Sequence, residues 1–239
     1  MKYWFSEDRS VRLYNDDCLN VMDNLINMDV KVDLVVCDPA YKVTQRGSSG
    51  NSGGMCKSKA FSSGNVFKHN DCDIEEWLPK VYKLLKDSSH CYIMTNHRNL
   101  INYLNVAEKV GLHFIKSLIW DKGNKIMGQG YMSQFEYILF FRKGKHKKIN
   151  NCGTSDILSV YNKKTKDANG KNLHDTEKPV ELMKILIDNS SNKNDTVLDF
   201  MMGIGSTGIA CKELNRKFIG IELDDKYFDI ARERIENEI

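Results

Sequence analysis

An acid directly follows an apolar run near the start of the chain, in the stretch VDLVVCDPAY. Val32 to Cys37 have the composition of a buried strand, and Asp38, Pro39 and Tyr41 come after it. A carboxylate beside a bound nucleoside can accept a hydrogen bond or a proton from a reacting amino group. An aromatic ring at the same place can stack on a flat base. Alone, these residues also fit a polar turn with a packed tyrosine, so the interpretation depends on the other motifs.

A second strand pattern ends on an acid and runs into a glycine-rich turn, VLDFMMGIGSTGIA, at residues 197–210. Gly203 and Gly205, after Asp199, would let the backbone come close to a ligand. The helix predicted to follow would offer free N–H groups and the positive end of its dipole. A tight strand-to-helix connection is the alternative explanation of the glycines.

The strand pattern after this turn also ends on an acid. Glu222 lies 17 residues beyond Gly205, close to the position where an acid binds ribose hydroxyls in nucleotide-binding folds. Glu222 could instead cap the last helix, but Asp224 and Asp225 are better placed for that role. The three acids at strand ends together predict a nucleoside-binding site that includes Asp38.

Strand and helix patterns alternate along the chain. Strands are predicted at 11–15, 32–37, 90–95, 114–120, 136–141, 195–200 and 217–223. Helices are predicted at 73–87, 97–111, 178–190 and 224–239, and after the glycine turn. This alternation predicts an α/β fold with a mostly parallel, doubly wound sheet. Because ligands bind at the carboxyl ends of parallel strands, the three acids should converge on one edge.

Two segments interrupt the alternation within the single domain predicted for residues 1–239. Residues 42–72 are rich in Gly and Ser, which predicts a flexible loop near the site. Residues 143–175 are polar and basic, and we interpret them as a small insert that recognises the target. The basic cluster at the start of this insert could bind a phosphate backbone or simply be solvated; it consists of Arg142, Lys143, Lys145, Lys147 and Lys148.

The composition predicts a soluble, globular protein of the cytoplasm. Of the 239 residues, 41% are hydrophobic and 28% charged, and the net charge is +3. No apolar run is long enough to span a bilayer, and the first residues do not form a signal peptide. The seven cysteines include no C-x-x-C pair, which favours reduced thiols and neither disulfides nor a metal site.

Five segments of the chain resemble motifs of the amino-methyltransferases that modify adenine or cytosine in DNA. These segments are NDDCLNVM, DPAY, IWDKGNKIMGQGYMSQFEYILFFRKG, HDTEKPVEL and VLDFMMGIGSTG. Their order is similar to that of the beta class, and the resemblance extends from Val11 onward. It implies a Rossmann-like fold that uses S-adenosyl-L-methionine as the methyl donor. Ala40, Asp175 and Phe200 replace prolines of the family motifs, without removing a functional group.

The resemblance also implies roles for individual residues. The methionine part of the cofactor would be held by Asp199, Gly203 and Gly205, with Ser206, Thr207 and Lys178 nearby. Glu222 would bind the ribose, and Asp17 with the Cys18 backbone would meet the adenine. Asp38, in the Asp38–Pro39–Ala40–Tyr41 motif, would accept from the target amino group while Tyr41 stacks on the flipped base. Phosphate contacts would come from Lys42, Arg46 and the basic cluster.

The resemblance leaves several functions open. Adenine N6 methylation is favoured over cytosine N4 methylation because Asp, rather than Ser, opens the DPAY motif. A catalytically silent DNA-binding regulator is disfavoured by the complete set of site residues, and a nicotinamide-dependent dehydrogenase leaves Tyr41 and the basic segments unexplained. DNA is the expected partner, with a homodimer and a cognate restriction nuclease as further expectations.

Overall fold

The structure is a computed structural model that describes residues 2–40, 72–126, 131–174 and 176–237. Its strands are β1 (Lys2–Phe5), β2 (Val11–Asn15), β3 (Val32–Cys37), β4 (Leu85–Thr95), β5 (His113–Ile126), β6 (Ser133–Lys143), β7 (Ile157–Ser159), β8 (Thr196–Asp199) and β9 (Lys217–Glu222). Its helices are α1 (Cys18–Asn27), α2 (Ile74–Leu84), α3 (Leu100–Val110), α4 (Val180–Ser190), α5 (Ser206–Glu213) and α6 (Asp225–Glu236).

The strands form one sheet in the order β1-β2-β9-β8-β3-β4-β6-β5-β7. The strands β2, β9, β8, β3 and β4 run parallel to one another, and β7 runs parallel to β5. Strand β1 is antiparallel to β2, and β6 is antiparallel to both β4 and β5. The order reverses between β3 and β8, because β4 lies beside β3 and β9 lies beside β8. The predicted mostly parallel sheet is therefore confirmed, and its switch point lies where β3 and β8 end.

Helices cover both faces of the sheet, as the alternating pattern predicts. Side chains of α1, α2 and α3 pack together on one face, where the rings of Trp77 and Phe200 lie 5.0 Å apart. Side chains of α4, α5 and α6 pack on the other face around Phe218 and Phe228. None of the helices that the structure describes has the length and apolar character needed to cross a membrane.

Three elements lie outside the sequence-based predictions. The edge strands β1 and β7 are short, and α1 follows β2 with Asp17 as its N-cap. Strand β7 falls within the segment that we interpret as a small target-recognition insert, and its Leu158 is buried in the core. Residues 157–159 are thus part of the sheet. The predicted flexible loop lies outside the described residues, except for its last residue, Cys72.

Helix α2 ends three residues earlier than its periodicity predicts. Trp77, Val81 and Leu84 form its buried stripe, but Leu85 is extended, with ψ at 135°, and begins β4. Leu85 pairs with Val32 of β3, and a register shift follows before Leu34 meets His90. Pairing with β3 therefore converts the predicted end of the helix into the start of a strand.

Candidate active site

The carboxyl ends of β3, β8 and β9 surround a cavity of about 520 Å³. The structure brings most of the predicted site residues to its wall: Asp17, Cys18, Asp38, Pro39, Lys178, Asp199, Gly203, Ser206, Thr207 and Glu222. Gly205 does not line the cavity. Tyr41, Lys42 and Arg46 lie outside the described residues, so their roles stay predictions.

Glu222 lies at the end of β9 and is held by backbone amides. Its Oε2 accepts a hydrogen bond from the Gly203 N–H at 2.9 Å, and its Oε1 accepts one from the Asp224 N–H at 2.8 Å. Burial raises the pKa of the Glu222 carboxyl to about 7, although both amide donors oppose this shift. The cap of α6 is Asp224, which accepts from the amides of Lys226 and Tyr227. Glu222 therefore faces the cavity and does not cap the helix.

Asp199 at the end of β8 is buried and braces the glycine turn. Its Oδ2 accepts a hydrogen bond from the Thr207 hydroxyl at 2.6 Å, and its Oδ1 accepts one from the Met201 N–H at 3.2 Å. Burial raises the pKa of the Asp199 carboxyl to about 6, and the bond from Thr207 opposes the rise. Asp199 and Thr207 thus fix the entry into α5, and the Thr207 hydroxyl is already engaged.

The two glycines of the turn serve different purposes. Gly203 lines the cavity with a φ of +55°, and its amide is the donor to Glu222. Gly205, with a φ of +83°, packs against α6; a Cβ there would lie 3.0 Å from the Ala231 Cβ and 3.1 Å from the Ile235 Cδ1. In the structure Gly205 packs against α6, and its contact with the methionine part of the cofactor stays a prediction.

Asp17 follows β2, the neighbour of β9, lines the cavity and caps α1. Its Oδ1 accepts a hydrogen bond from the Leu19 N–H at 2.7 Å, so this oxygen is engaged in the cap. Cys18 is buried beside Cys72, and the hydrogen bond between their thiols, together with burial, raises the pKa of Cys18. The capped start of α1 is therefore part of the cavity wall.

Asp38 belongs to a row of four side chains with alternating charge. The Lys178 ammonium donates to Asp38 Oδ2 and also lies 3.5 Å from Glu136 Oε2. The other oxygen of Glu136, Oε1, accepts from the Lys122 Nζ at 2.5 Å. We name these residues the charge row: Asp38, Lys178, Glu136 and Lys122. Lys178, predicted to lie by the cofactor, lines the cavity and also bonds to the predicted catalytic acid.

The charge row shifts the titration of both its acids. Burial raises the pKa of the Asp38 carboxyl above its usual range, and the Lys178 ammonium opposes that shift. Burial acts on Glu136 in the same direction, but Lys178 and Lys122 outweigh it and hold the pKa of Glu136 below its usual value. Asp38 Oδ1 has no hydrogen-bond partner among the residues that the structure describes, and 26% of the side chain is exposed. One carboxylate oxygen is thus open to a ligand.

Glu177, in the HDTEKP segment, is a buried hub that the sequence analysis did not single out. It accepts from the Thr165 N–H at 2.7 Å and the Thr165 hydroxyl at 2.9 Å. Arg234 of α6 lies 2.9 Å from its Oε1, which the Ser206 hydroxyl also reaches at 3.4 Å. Glu177 therefore ties residues 164–177 to the glycine turn and to α6. The motif itself was the only sequence signal for it.

The basic cluster lies far from Asp38. Strand β6 carries Glu136 beside the charge row, and it ends seven residues later at Lys143, about 23 Å away at about 3.3 Å per residue. Because β6 is antiparallel to β4, Lys143 pairs with Ser89 near the amino end of β4. The structure therefore places the cluster at the edge of the sheet opposite the cavity.

Three members of the basic cluster, Arg142, Lys143 and Lys147, are also engaged with the protein itself. Lys143 Nζ donates to the Tyr82 and Leu85 carbonyls at 2.7 and 2.8 Å and lies 4.3 Å from the centre of the Tyr82 ring. Arg142 donates to the Gly144 carbonyl. DNA binding by the cluster stays a prediction, and the structure does not bring it together with the site.

Comparison with known proteins agrees with this geometry. The family model N6_N4_Mtase, described as DNA methylase, matches residues 32–233. The Type II methyltransferase M2.MboI of Moraxella bovis is 27% identical, over 97% of this chain and 90% of that protein. M.HinfI of Haemophilus influenzae, also a Type II methyltransferase, is 28% identical over 92% of this chain and 66% of that protein.

Solved structures show the same fold. The complex of M1.HpyAVI with SAM is 25% identical and superposes with a TM-score of 0.70, covering 94% of this chain and 99% of that one. The cytosine-N4-specific PvuII DNA methyltransferase has a TM-score of 0.71 at 15% identity, over 95% of this chain and 90% of its own, a likeness of fold alone. With a family model that spans most of its length, this chain belongs to the N6/N4 family of DNA methylases.

Proposed function

We propose that this chain transfers a methyl group from S-adenosyl-L-methionine to the exocyclic N6 amino group of adenine in DNA. The observation that carries the proposal is the position of Asp38, whose open Oδ1 shares one cavity with Glu222 and the glycine turn. A hydrogen-bond acceptor and a nucleoside-binding wall are thereby combined in a single site.

The cavity has the donors and acceptors that the cofactor requires. Glu222 would accept from the ribose hydroxyls, and the start of α5 at Ser206 would face the carboxylate of the methionine part. Leu223, an exposed side chain of the cavity wall, would supply apolar surface for the adenine. When bound, S-adenosyl-L-methionine supplies an electrophilic methyl group attached to a sulfonium.

Asp38 would act as a hydrogen-bond acceptor that orients the target nitrogen. Its Oδ1 would accept a hydrogen bond from one N–H of the amino group, which favours a lone pair localised on the nitrogen, out of conjugation with the ring. The ammonium of Lys178 on Oδ2 favours the ionised carboxylate and lowers its basicity. Most of the rate would come from positioning the amino group against the methyl donor and from the carboxylate's attraction for the developing positive charge.

The target base must leave the duplex to reach Asp38. An amino group inside a base pair is hydrogen-bonded and stacked, so methylation inside a cavity requires the nucleotide to flip outward. Tyr41 follows Asp38 closely enough in the chain to stack on the flipped base, and this role is proposed from the DPAY resemblance.

Cytosine N4 is the second candidate acceptor, because the family includes enzymes for both bases. The presence of Asp at position 38, where Ser often opens the motif of cytosine enzymes, favours adenine. We extend the proposal to a role beside a restriction nuclease, which the Type II names of the relatives support. A cytoplasmic location and a homodimer are further parts of the proposal. Light scattering of the purified chain with and without DNA tests the dimer.

The product of the reaction decides between the two bases. Unmethylated DNA is incubated with the protein and methyl-labelled S-adenosyl-L-methionine, digested to nucleosides and separated by mass. We expect label in N6-methyldeoxyadenosine, labelling at least about a hundredfold slower with Asp38→Asn, and unchanged labelling with Asp156→Asn, an exposed aspartate paired with Lys116. Label in N4-methyldeoxycytidine alone would replace adenine by cytosine, and the absence of label from both would refute the proposal.

A further inference from the structure

The charge row extends from the proposed acceptor to Glu136 and Lys122, two strand residues that were not predicted as site residues. Lys122 lies on β5 in the stretch where the register to β6 shifts, between Asp121 and Ile126. Such an irregularity can turn a side chain out of the usual alternation. The Lys122 side chain is 8% exposed and lies under the cavity, bonded to Glu136 of the neighbouring strand.

The ring of Trp120 faces the ammoniums of both Lys122 and Lys178. Its ring is buried, and its Nε1 donates to the Val160 carbonyl at 2.8 Å, which fixes the plane of the ring. The ammonium of Lys122 lies 5.3 Å from the ring centre and that of Lys178 lies 5.9 Å from it. An aromatic face attracts cations, so the ring helps to hold both ammoniums in place.

The ionised charge row is neutral as a whole, with two carboxylates and two ammoniums. Burying a charge is costly unless it is paired, and here each inner member has an oppositely charged neighbour on both sides. Lys178 is shared between Asp38 and Glu136, so it does not neutralise Asp38 alone. The length of the row therefore determines how much negative charge is left on Asp38.

We propose that Glu136 and Lys122 are positioning residues for methyl transfer, which hold Lys178 and thereby set the orientation and charge of the Asp38 carboxylate. The inference rests on the proposed function of Asp38. Neither residue touches the reacting atoms in this account. They act through Lys178, from strands β6 and β5.

The inference makes a prediction about pH that a purely structural role does not make. Glu136 raises the pKa of Asp38 and Lys122 lowers it, so removing each charge should move the acid limb of the activity profile in opposite directions. Both variants retain the other titratable side chains around Asp38 and the charge row. These are Lys178 before α4, Asp199 at the end of β8, Cys37 on β3 itself and Lys164 in the segment after β7.

The experiment measures the single-turnover rate of methyl transfer to a DNA duplex across the pH range. Glu136→Gln should shift the acid limb to lower pH and reduce the rate at neutral pH roughly tenfold or more. Lys122→Met should shift the limb to higher pH. The matched control is Lys116→Met, the same change on the same strand at an exposed pair with Asp156, which should leave rate and limb unchanged.

A double variant keeps the test decisive if Glu136→Gln does not fold because it leaves Lys122 unpaired. Glu136→Gln combined with Lys122→Met removes both charges, so its acid limb should return close to the wild-type position while the rate stays reduced. A double variant with the wild-type rate, or single variants whose limbs do not separate, would overturn the inference. If the wild-type protein itself transfers no methyl group, the proposed function fails instead.

Discussion

Gly205 offers a direct test of how the glycine turn is built. The family resemblance implies that Gly205 holds the cofactor, and the structure adds that Gly205 packs against α6. Substitution by alanine would meet two costs: a φ of +83°, and a Cβ placed 3.0 Å from Ala231 and 3.1 Å from Ile235. A left-handed conformation costs an ordinary residue about 1–2 kcal/mol, and overpacking a core costs about 1–3 kcal/mol. We expect Gly205→Ala to lower the free energy of unfolding by about 2–5 kcal/mol.

Two other glycines separate these costs. Gly170 has a φ of +78° and nothing within 4 Å of an added Cβ, so Gly170→Ala should show the conformational cost alone. Gly208, inside α5 without a positive φ, would place a Cβ 2.4 Å from the Ile235 Cδ1 and 2.8 Å from the Phe218 ring. Gly208→Ala should therefore show mainly the packing cost.

Urea unfolding of the three variants and the wild type, at one pH and temperature, gives the comparison. The Gly205→Ala loss should exceed the Gly170→Ala loss by a packing cost no larger than that at Gly208, where an added Cβ would lie closer to its neighbours. Equal losses for Gly205→Ala and Gly170→Ala would refute the packing argument. A Gly205→Ala protein of normal stability that binds S-adenosyl-L-methionine poorly would support the role predicted from the sequence.

Three other features of the structure lead to measurable expectations. Burial holds the pKa of Glu222 at about 7, above its ordinary 4.5. Between these two pH values the folded chain keeps a proton that the unfolded chain has lost, so the free energy of unfolding should fall as the pH rises. Glu222→Gln should flatten this fall in urea midpoints, and an unaltered slope would contradict it. Glu177→Gln should lower the free energy of unfolding by about 3–5 kcal/mol, because Arg234 loses its buried partner. It should also speed amide exchange in residues 164–177, and unchanged exchange would contradict the role of Glu177 in holding this segment. Replacing Lys145, Lys147 and Lys148 of the basic cluster by alanine should leave the salt dependence of binding to a one-turn duplex unchanged. If instead the slope of log affinity against log salt falls by about 0.9 per lost phosphate contact, the sequence-based prediction is confirmed.

The parts of the fold that depend on local pattern were predictable from the sequence. Strands β2 and β3 have the predicted bounds, because continuous or alternating apolar residues mark a buried strand wherever it pairs. The acids Asp38, Asp199 and Glu222 follow such strands, and parallel pairing then brings them to one edge. That is why one cavity contains nearly all the predicted cofactor residues.

The parts that depend on distant pairing were not predicted. Glu136 resembles any polar residue of a half-buried strand, and only the register of β5 against β6 places it beside Lys122. The packing of Gly205 depends on α6, which is remote in sequence. The position of the basic cluster did have a signal: no helix pattern separates residues 114–120 from 136–141, which favours an antiparallel pair and hence a β6 that ends at the opposite edge.

The most direct test of the account combines two measurements on Asp38→Asn. Single-turnover methyl transfer to DNA should fall by a factor of about 10²–10⁴, because the amide offers a poorer acceptor to the target amino group and no charge to the nitrogen that becomes cationic. Titration calorimetry should find S-adenosyl-L-methionine bound as tightly as by the wild type, since Glu222 and the glycine turn are unchanged. A variant that transfers methyl groups at the wild-type rate would contradict the account, as would one that no longer binds the cofactor.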